Sequence, residues 1–305
     1  MESAEPLTAQ DYRAGFIAVI GKPNVGKSTL MNVLLQQKIA AVSPRPQTTR
    51  KQQLGILTTE QAQIIFVDTP GFHTPRHKLG EKMVKAALKA IEDSDGLLFL
   101  LDVSEPLSQE DFDLADQLSP YQAAKPLVIA LNKIDIAKEE FLAAAKALIE
   151  ERFPTATVVQ ISCLRGDNLD HLIAALMECL PLSEPLYPAD QITDYYEREI
   201  AAELIREAAL HILRDEVPHG IAVRIDQYQE KDENLAVIDA TIIVEKETHK
   251  AIVIGAGGSM IKKIGTQARQ EIEAMSGRKI YLNLHVKVQK NWRKNDTLLK
   301  WLGYT

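Results

Sequence analysis

The segment Gly21-Lys22-Pro23-Asn24-Val25-Gly26-Lys27-Ser28-Thr29 constrains this 305-residue chain more than any other. It follows an apolar run at 16–20 and opens a stretch of helical periodicity that starts at Lys27. Glycines at this spacing let the backbone curl until its N–H groups point at one centre. The helix N-terminus adds partial positive charge. Lys27 is expected to reach the β- and γ-phosphates of a nucleoside triphosphate, and the Ser28 hydroxyl to bind Mg2+. The bland alternative is a chance glycine-rich turn, and the strand-turn-helix context argues against it. Alone, the motif says only "triphosphate".

Apolar, β-rich runs at 16–20, 64–67, 97–103, 127–131 and 157–161 alternate with helical patterns at 27–35, 79–91, 109–118, 138–152 and 169–180. Strands apolar on both faces, joined through helices, imply a mainly parallel sheet with helices on both faces. Residues 51–58 read as an added strand, an antiparallel edge. Pro181, Pro185 and Pro188 forbid a continued helix. Residues 1–180 are therefore expected to form one domain, 181–192 a linker and 193–305 a second domain with a C-terminal tail. In that second half Thr193 or Asp194 would cap a helix running to 214. Strands at 221–229 and 235–245 would follow, split by a turn at 230–234. A short helix, a glycine loop, a helix at 259–275 and a strand at 279–289 complete the order αββααβ.

Two further motifs end apolar runs. Asp68-Thr69-Pro70-Gly71 follows the run at 64–67. An acidic residue at the carboxyl end of a parallel strand lies near the phosphate loop, so Asp68 is expected to hold Mg2+, through water. Gly71, lacking a side chain, would let its N–H approach the γ-phosphate. Asn132-Lys133-Ile134-Asp135 follows the run at 127–131. A carboxylate only accepts hydrogen bonds, and guanine offers N1–H and a 2-amino group where adenine offers neither. Asp135 would therefore select guanine, Asn132 would contact the base edge and local loops, and the Lys133 stem would cover the base. Ser162-Cys163 would add a backbone contact to the guanine carbonyl.

The phosphate loop, Gln47-Thr48-Thr49-Arg50, Asp68-Thr69-Pro70-Gly71, Asn132-Lys133-Ile134-Asp135 and Ser162-Cys163 together resemble the translation-factor-related P-loop GTPases. The resemblance implies that Thr48 or Thr49, with Thr49 favoured, closes on Mg2+ and the γ-phosphate. It places catalysis on Lys27, Thr49 and Gly71 and the metal on Ser28, Thr49 and Asp68. Residues 38–51 and 72–80 would be loops ordered by GTP and released on hydrolysis. One position departs from Ras-like members, which carry a water-orienting glutamine after the DxxG glycine. Here Phe72 stands there. Slow intrinsic hydrolysis or another device is expected, such as a K+ ion held with the help of Asn24. His73 as a base is the weaker option.

The second half carries Ile254-Gly255-Ala256-Gly257-Gly258, then Ile261, Lys262, Lys263, Ile264 and Gly265. This pattern resembles the core of a type II KH domain, an α+β fold whose glycine loop admits a nucleic-acid backbone. Ile254 and Ile261 would line a base-binding groove, with core packing the better reading for Ile264. Lys262, Lys263, Arg278, Lys287 and Lys290 would meet phosphates. Charge agrees: residues 248–305 hold 11 Lys and Arg against three acidic residues, in a chain of net charge −7. The loop lacks the Lys or Arg often found between such glycines, which shifts phosphate binding toward Lys262 and Lys263.

A P-loop GTPase followed by a KH domain is similar to bacterial ribosome-assembly GTPases. That similarity implies binding of the 3′ end of 16S ribosomal RNA and of the 30S subunit, with peripheral contact at the inner membrane as a further possibility. The alternative is a nucleotide-gated RNA-binding regulator in which hydrolysis is incidental. No apolar run approaches the ~18 residues of a membrane span, and the polar N-terminus lacks the pattern of a secretory signal. Cys163 and Cys179 have no metal or redox spacing. These features suggest a cytoplasmic protein with reduced thiols.

Overall fold

A computed structural model describes residues 11–43, 45, 48–71, 77–214 and 217–304. It divides into two compact units. The first comprises Met1–Gln36, Gln52–His73 and Val84–Asp194; the second comprises Gln37–Lys51, Thr74–Met83 and Tyr195–Thr305.

Chain order in the first half is β1 (Arg13–Ile20), α1 (Lys27–Leu34), β2 (Gln53–Thr58), β3 (Ala62–Asp68), α2 (Lys78–Asp93), β4 (Gly96–Asp102), α3 (Gln109–Leu118), β5 (Leu127–Asn132), α4 (Glu139–Arg152), β6 (Thr157–Ile161) and α5 (Leu169–Glu178). The sheet order is β2-β3-β1-β4-β5-β6. All neighbours are parallel except β2 against β3. Every residue of β3, β4 and β5 is buried, which is why those segments read as unbroken apolar runs. Phe99 and Phe153 meet edge to face inside the core, with ring centroids 6.2 Å apart.

The edge strand β2 explains two departures from the sequence reading. An edge strand offers unpaired N–H and C=O groups. Thr193 donates its hydroxyl to Leu54 O at 2.7 Å, and Asp194 accepts from Leu54 N at 2.9 Å. Ile56 N adds a bond to Ile192 O. Thr193 and Asp194 thus close a sheet edge and cap no helix. The proline-rich stretch also keeps to the first unit: Ala14 N donates to Pro181 O, Ser183 N to Tyr12 O, and Leu186 N and Tyr187 N to Gln63 Oε1. The division falls after Asp194.

The second unit contains α6 (Glu197–Ile212), β7 (Ala222–Asp232), β8 (Leu235–Val244), α7 (Glu247–Ile254), α8 (Ser259–Ser276), β9 (Lys279–Val288) and α9 (Asp296–Trp301). β8 lies centrally, antiparallel to β7 and parallel to β9. The turn expected at 230–234 is tighter. β7 continues through a bulge to Asp232, whose carboxylate accepts from Asn234 N at 2.8 Å. The helix α9 is capped by Asn295, which accepts from Leu298 N at 3.1 Å. Six residues are too few for a readable period, so only the cap could have announced it.

Trp292 organises the apolar centre of this unit. It is fully buried with Leu79, Met83, Ala222, Ile243, Leu299 and Tyr304. Its indole N–H donates to Gly220 O at 2.9 Å, and its ring stacks on Tyr304. Replacing Trp292 with Ala removes a large buried ring and strands the Gly220 carbonyl. A loss of about 3–5 kcal/mol is expected, read as an earlier denaturant transition of the second unit; Trp292→Phe should lose less.

Candidate nucleotide and RNA sites

In the first sheet β1 has β3 on one side and β4 on the other. The chain leaves β1 for β2 and β3 on one side, while β4 leads on to β5 on the other, and such a reversal of strand order opens a crevice at the carboxyl ends of the strands. The loop of residues 21–28 fills that crevice. Asn24 adopts φ 66° and Gly26 φ 109°, both left-handed. Lys27 is buried, and its ammonium donates to Gly21 O at 2.8 Å and Lys22 O at 2.9 Å. Burial pushes its pKa down to about 8, against the pull of Asp68. Ser28 Oγ lies 3.2 Å from Asp68 Oδ2, so the two expected metal-side oxygens are neighbours. Gly71 sits directly against the loop: a Cβ there would come within 3.1 Å of Pro23 N.

Asn132 links the two ends of this site. Its amide donates to Val25 O in the phosphate loop at 2.8 Å and accepts from Cys163 N at 3.1 Å. The side chain, expected to contact the base edge and local loops, is engaged with loop backbone on both sides. It acts as a strut between the phosphate loop and the segment after β6. Of the Ser162-Cys163 backbone expected to meet the guanine carbonyl, the Cys163 N–H is engaged by that same strut. Cys163 is buried and its thiol is pushed up to about 12 by that burial, which leaves it chemically quiet.

The remaining nucleotide residues divide by what they touch. Lys133 takes a left-handed backbone, φ 68°, and its ammonium pairs with Asp102 at the end of β4. That pair fixes the lysine side chain against the end of β4. The Asp135 side chain is 7% exposed, with Arg165 Nε 3.8 Å from its carboxylate. Lys22 turns away from the loop to Asp111 and Glu105, at 2.9 and 3.0 Å. Burial works against its charge, but those two acids outweigh it and hold its pKa above the ordinary lysine value. Thr69 donates its hydroxyl to Val19 O at 2.7 Å, tying the end of β3 to β1. Ser162 is buried within its own turn, accepting from Arg165 N and Gly166 N.

Sequence reasoning missed Asp102, Asp111 and Arg165. Asp102 had a signal, since it is an acid ending an apolar strand just as Asp68 is. Asp111 and Arg165 had none, because their partners are distant in sequence or lie in an unpatterned turn.

Thr48 and Thr49 group with the second unit, whereas Ser28 and Asp68 belong to the first. Within the second unit the segment Gln37–Lys51 is held by charged side chains. Arg206 donates to Thr48 O. Arg45 donates to Leu210 O and Leu213 O at 2.7 and 2.6 Å, satisfying carbonyls at the end of α6. Arg50 donates to His219 O and Ile221 O. Lys38 bridges Glu207 and Glu271 at 2.8 and 2.9 Å. Gln47, Phe72 and His73 lie outside the described residues.

The glycine loop of the second unit joins α7 to α8. Gly255, Gly257 and Gly258 all take positive φ. At Gly255 a Cβ would meet Met260 Cγ at 2.6 Å, whereas Gly257 and Gly258 face open space. Backbone there can be approached closely. Ala256, Lys262 and Lys263 are exposed, Ile254 and Ile261 half-buried, and Ile264 fully buried as core. Arg278 departs from the expected phosphate set: Glu197 takes its guanidinium at 2.7 Å, with Glu230 at 3.6 Å. Lys287 and Lys290 are exposed.

A family model described as a 50S ribosome-binding GTPase matches residues 16–133, and a KH domain model matches residues 216–293. The chain is 44% identical to GTPase Era of Clostridium botulinum (strain Langeland) over 293 residues, 96% of this chain and 98% of that protein. The chain belongs to the Era GTPase family. A second family member, from Lacticaseibacillus paracasei, is 44% identical over 294 residues, 96% of this chain and 97% of that one. Among solved structures, Era in complex with MgGDPNP and nucleotides 1506–1542 of 16S ribosomal RNA matches with a TM-score of 0.90 and 40% identity, covering 96% of this chain and 99% of that one. A variant of Aquifex aeolicus Era bound to GDP and AlF4− matches with the same figures. The chain is thus a GTPase with a mainly parallel P-loop domain followed by a KH domain.

The strut geometry makes one residue a sharp test. A Cβ on Gly26 would fall 2.4 Å from Asn132 Nδ2, on a backbone at φ 109°. Gly26→Ala should weaken GTP binding about 10- to 100-fold through that strain and the displaced strut, measured by titration with a fluorescent GTP analogue.

Proposed function

We propose that this chain is a GTP-hydrolysing switch that binds the 3′ end of 16S ribosomal RNA through the loop of residues 255–258 and assists assembly of the 30S subunit. The observation that carries the reading is its likeness, over 96% of its length, to an Era chain solved with a GTP analogue and a 16S ribosomal RNA fragment. In this reading residues 21–29, 68–71, 132, 133, 135, 162 and 163 form the guanine-nucleotide site. Asp135 accepts from the guanine N1–H and 2-amino group. The loop N–H groups and Lys27 hold the phosphates, and the Gly71 N–H meets the γ-phosphate. These groups favour the charge that gathers on the transferred phosphoryl oxygens.

The neighbouring oxygens of Ser28 and Asp68 suit a hard cation such as Mg2+. When bound, that ion neutralises phosphate charge, and Thr49 would join its ligands in the GTP state. With Phe72 in place of a glutamine, water needs another aid. Asn24, held left-handed in the loop, is suited to help retain K+ beside the phosphates. Hydrolysis should be faster in potassium than in sodium buffer at equal ionic strength; equal rates would remove the K+ assignment.

Coupling between nucleotide and RNA follows from the double duty of Gln37–Lys51. Arg206, Arg45, Arg50 and Lys38 bind this segment into the second unit. Closure of Thr49 on a γ-phosphate would compete with those bonds. A ligand shifts such an equilibrium only through unequal affinity for its two states. RNA affinity is therefore expected to differ between the GDP form and the form with a non-hydrolysable GTP analogue. Equal affinities would sink the switch. Among the described residues no helix is long and apolar enough to cross a membrane; a cytoplasmic protein with at most peripheral contact at the inner membrane fits this reading.

A further inference from the structure

The second unit carries a surface that the glycine loop does not use. In β9 alternate side chains point to opposite faces of the sheet. Ile280 is buried, and Leu284 lies against Gly265 of α8, so the even positions face the helices. The odd positions Lys279, Tyr281, Asn283, His285 and Lys287 share the opposite face, and four of the five are exposed. Tyr281 is the most exposed aromatic side chain of this sheet, at 62%. Val237 of β8 lies directly beside it in register, with Gln229 of β7 beyond. Lys287, expected from sequence to serve the KH groove, belongs to this outer face.

We propose that this outer face of the β7–β8–β9 sheet is a second RNA-binding surface, on which a base of a single-stranded segment stacks on Tyr281 while Lys279 and Lys287 meet its phosphates. The proposal rests on the RNA-binding reading above. At the Lys287 end of this face Ile243 is buried beside Trp292, but around Tyr281 the face is uncovered, and an exposed aromatic next to a lysine is the chemistry of a stacking platform, because every base has a π-face. Two acidic residues of the same face are hydrogen-bonded within the sheet. Asp239 accepts from Asn283 at 2.8 Å, and Asp226 is held by Arg224 and by the Thr241 hydroxyl. Arg224 neutralises Asp226, so beside Tyr281 the cation facing solvent on its own strand is Lys279. Lysine is depleted from protein–protein interfaces, so Lys279 beside the exposed ring, with Lys287 about 20 Å further along the strand, favours a polyanion over a protein. β9 is also the edge strand of its sheet, so an RNA strand can pass around it from one face to the other.

The test uses the full chain and a labelled RNA of nucleotides 1506–1542 of 16S ribosomal RNA, with binding followed by anisotropy over a range of salt. Tyr281→Ala should weaken binding by roughly tenfold with GTP hydrolysis and thermal midpoint unchanged. Lys279→Ala should lower the slope of log affinity against log salt by about 0.7, the value for one lost phosphate contact on a single strand. Crosslinking should attach RNA to the β9 peptide. Unchanged affinity and slope in both variants, alongside lost binding in Gly258→Asp, would overturn the second surface and leave the KH reading standing. No binding by the unaltered chain, or full binding by Gly258→Asp, would instead overturn the KH reading.

Discussion

The nucleotide site depends on one side-chain amide. Asn132 donates to the phosphate loop at Val25 and accepts from the backbone after β6 at Cys163. The phosphate end and the base end of the site are therefore not independently adjustable loops. They share a buried strut, and Gly26 is a glycine partly because any side chain would strike it. Buried amides with both ends satisfied hold geometry well, because breaking either bond leaves a desolvated polar group. With that frame fixed, Lys133 and Asp135 can be presented from the end of β5 at a set distance from the phosphate loop.

The sheet supplies the frame from below. β1 lies at the point where the strand order reverses, and the motif-bearing strands β1, β3 and β5 end at its carboxyl edge. Burial of every residue in β3, β4 and β5 makes these ends rigid platforms for short loops. The segment Gln37–Lys51 is built differently. It has no strand or helix among its described residues and is held by arginine and lysine side chains reaching carbonyls and carboxylates. Such bonds can be exchanged for others of similar strength, which suits the switching role proposed for this segment.

How much of this was legible in the sequence follows from the range of each interaction. The strand-helix alternation and the antiparallel edge came from local apolar pattern, and the glycine loops from backbone demands that few other residues meet. Motif residues could be named because short spacings fix them on a single turn. What sequence could not supply were partners chosen by the folded chain. Asn132 found two backbone groups, Lys22 found Asp111, and Arg278 found Glu197. Thr193 and Asp194 had the composition of a helix cap but met an open strand edge first. Lys287 was assigned by charge alone, and only the strand register showed which face it occupies.

The central claim is that Asp135 selects guanine through two donors within a frame held by Asn132. Its most direct test is the affinity of the unaltered chain for GTP, for inosine triphosphate, which lacks only the 2-amino group, and for ATP. Losing one hydrogen bond to a buried carboxylate should weaken inosine triphosphate roughly 10- to 100-fold, with ATP weaker still. Equal affinity for GTP and inosine triphosphate, or appreciable binding of ATP, would contradict it.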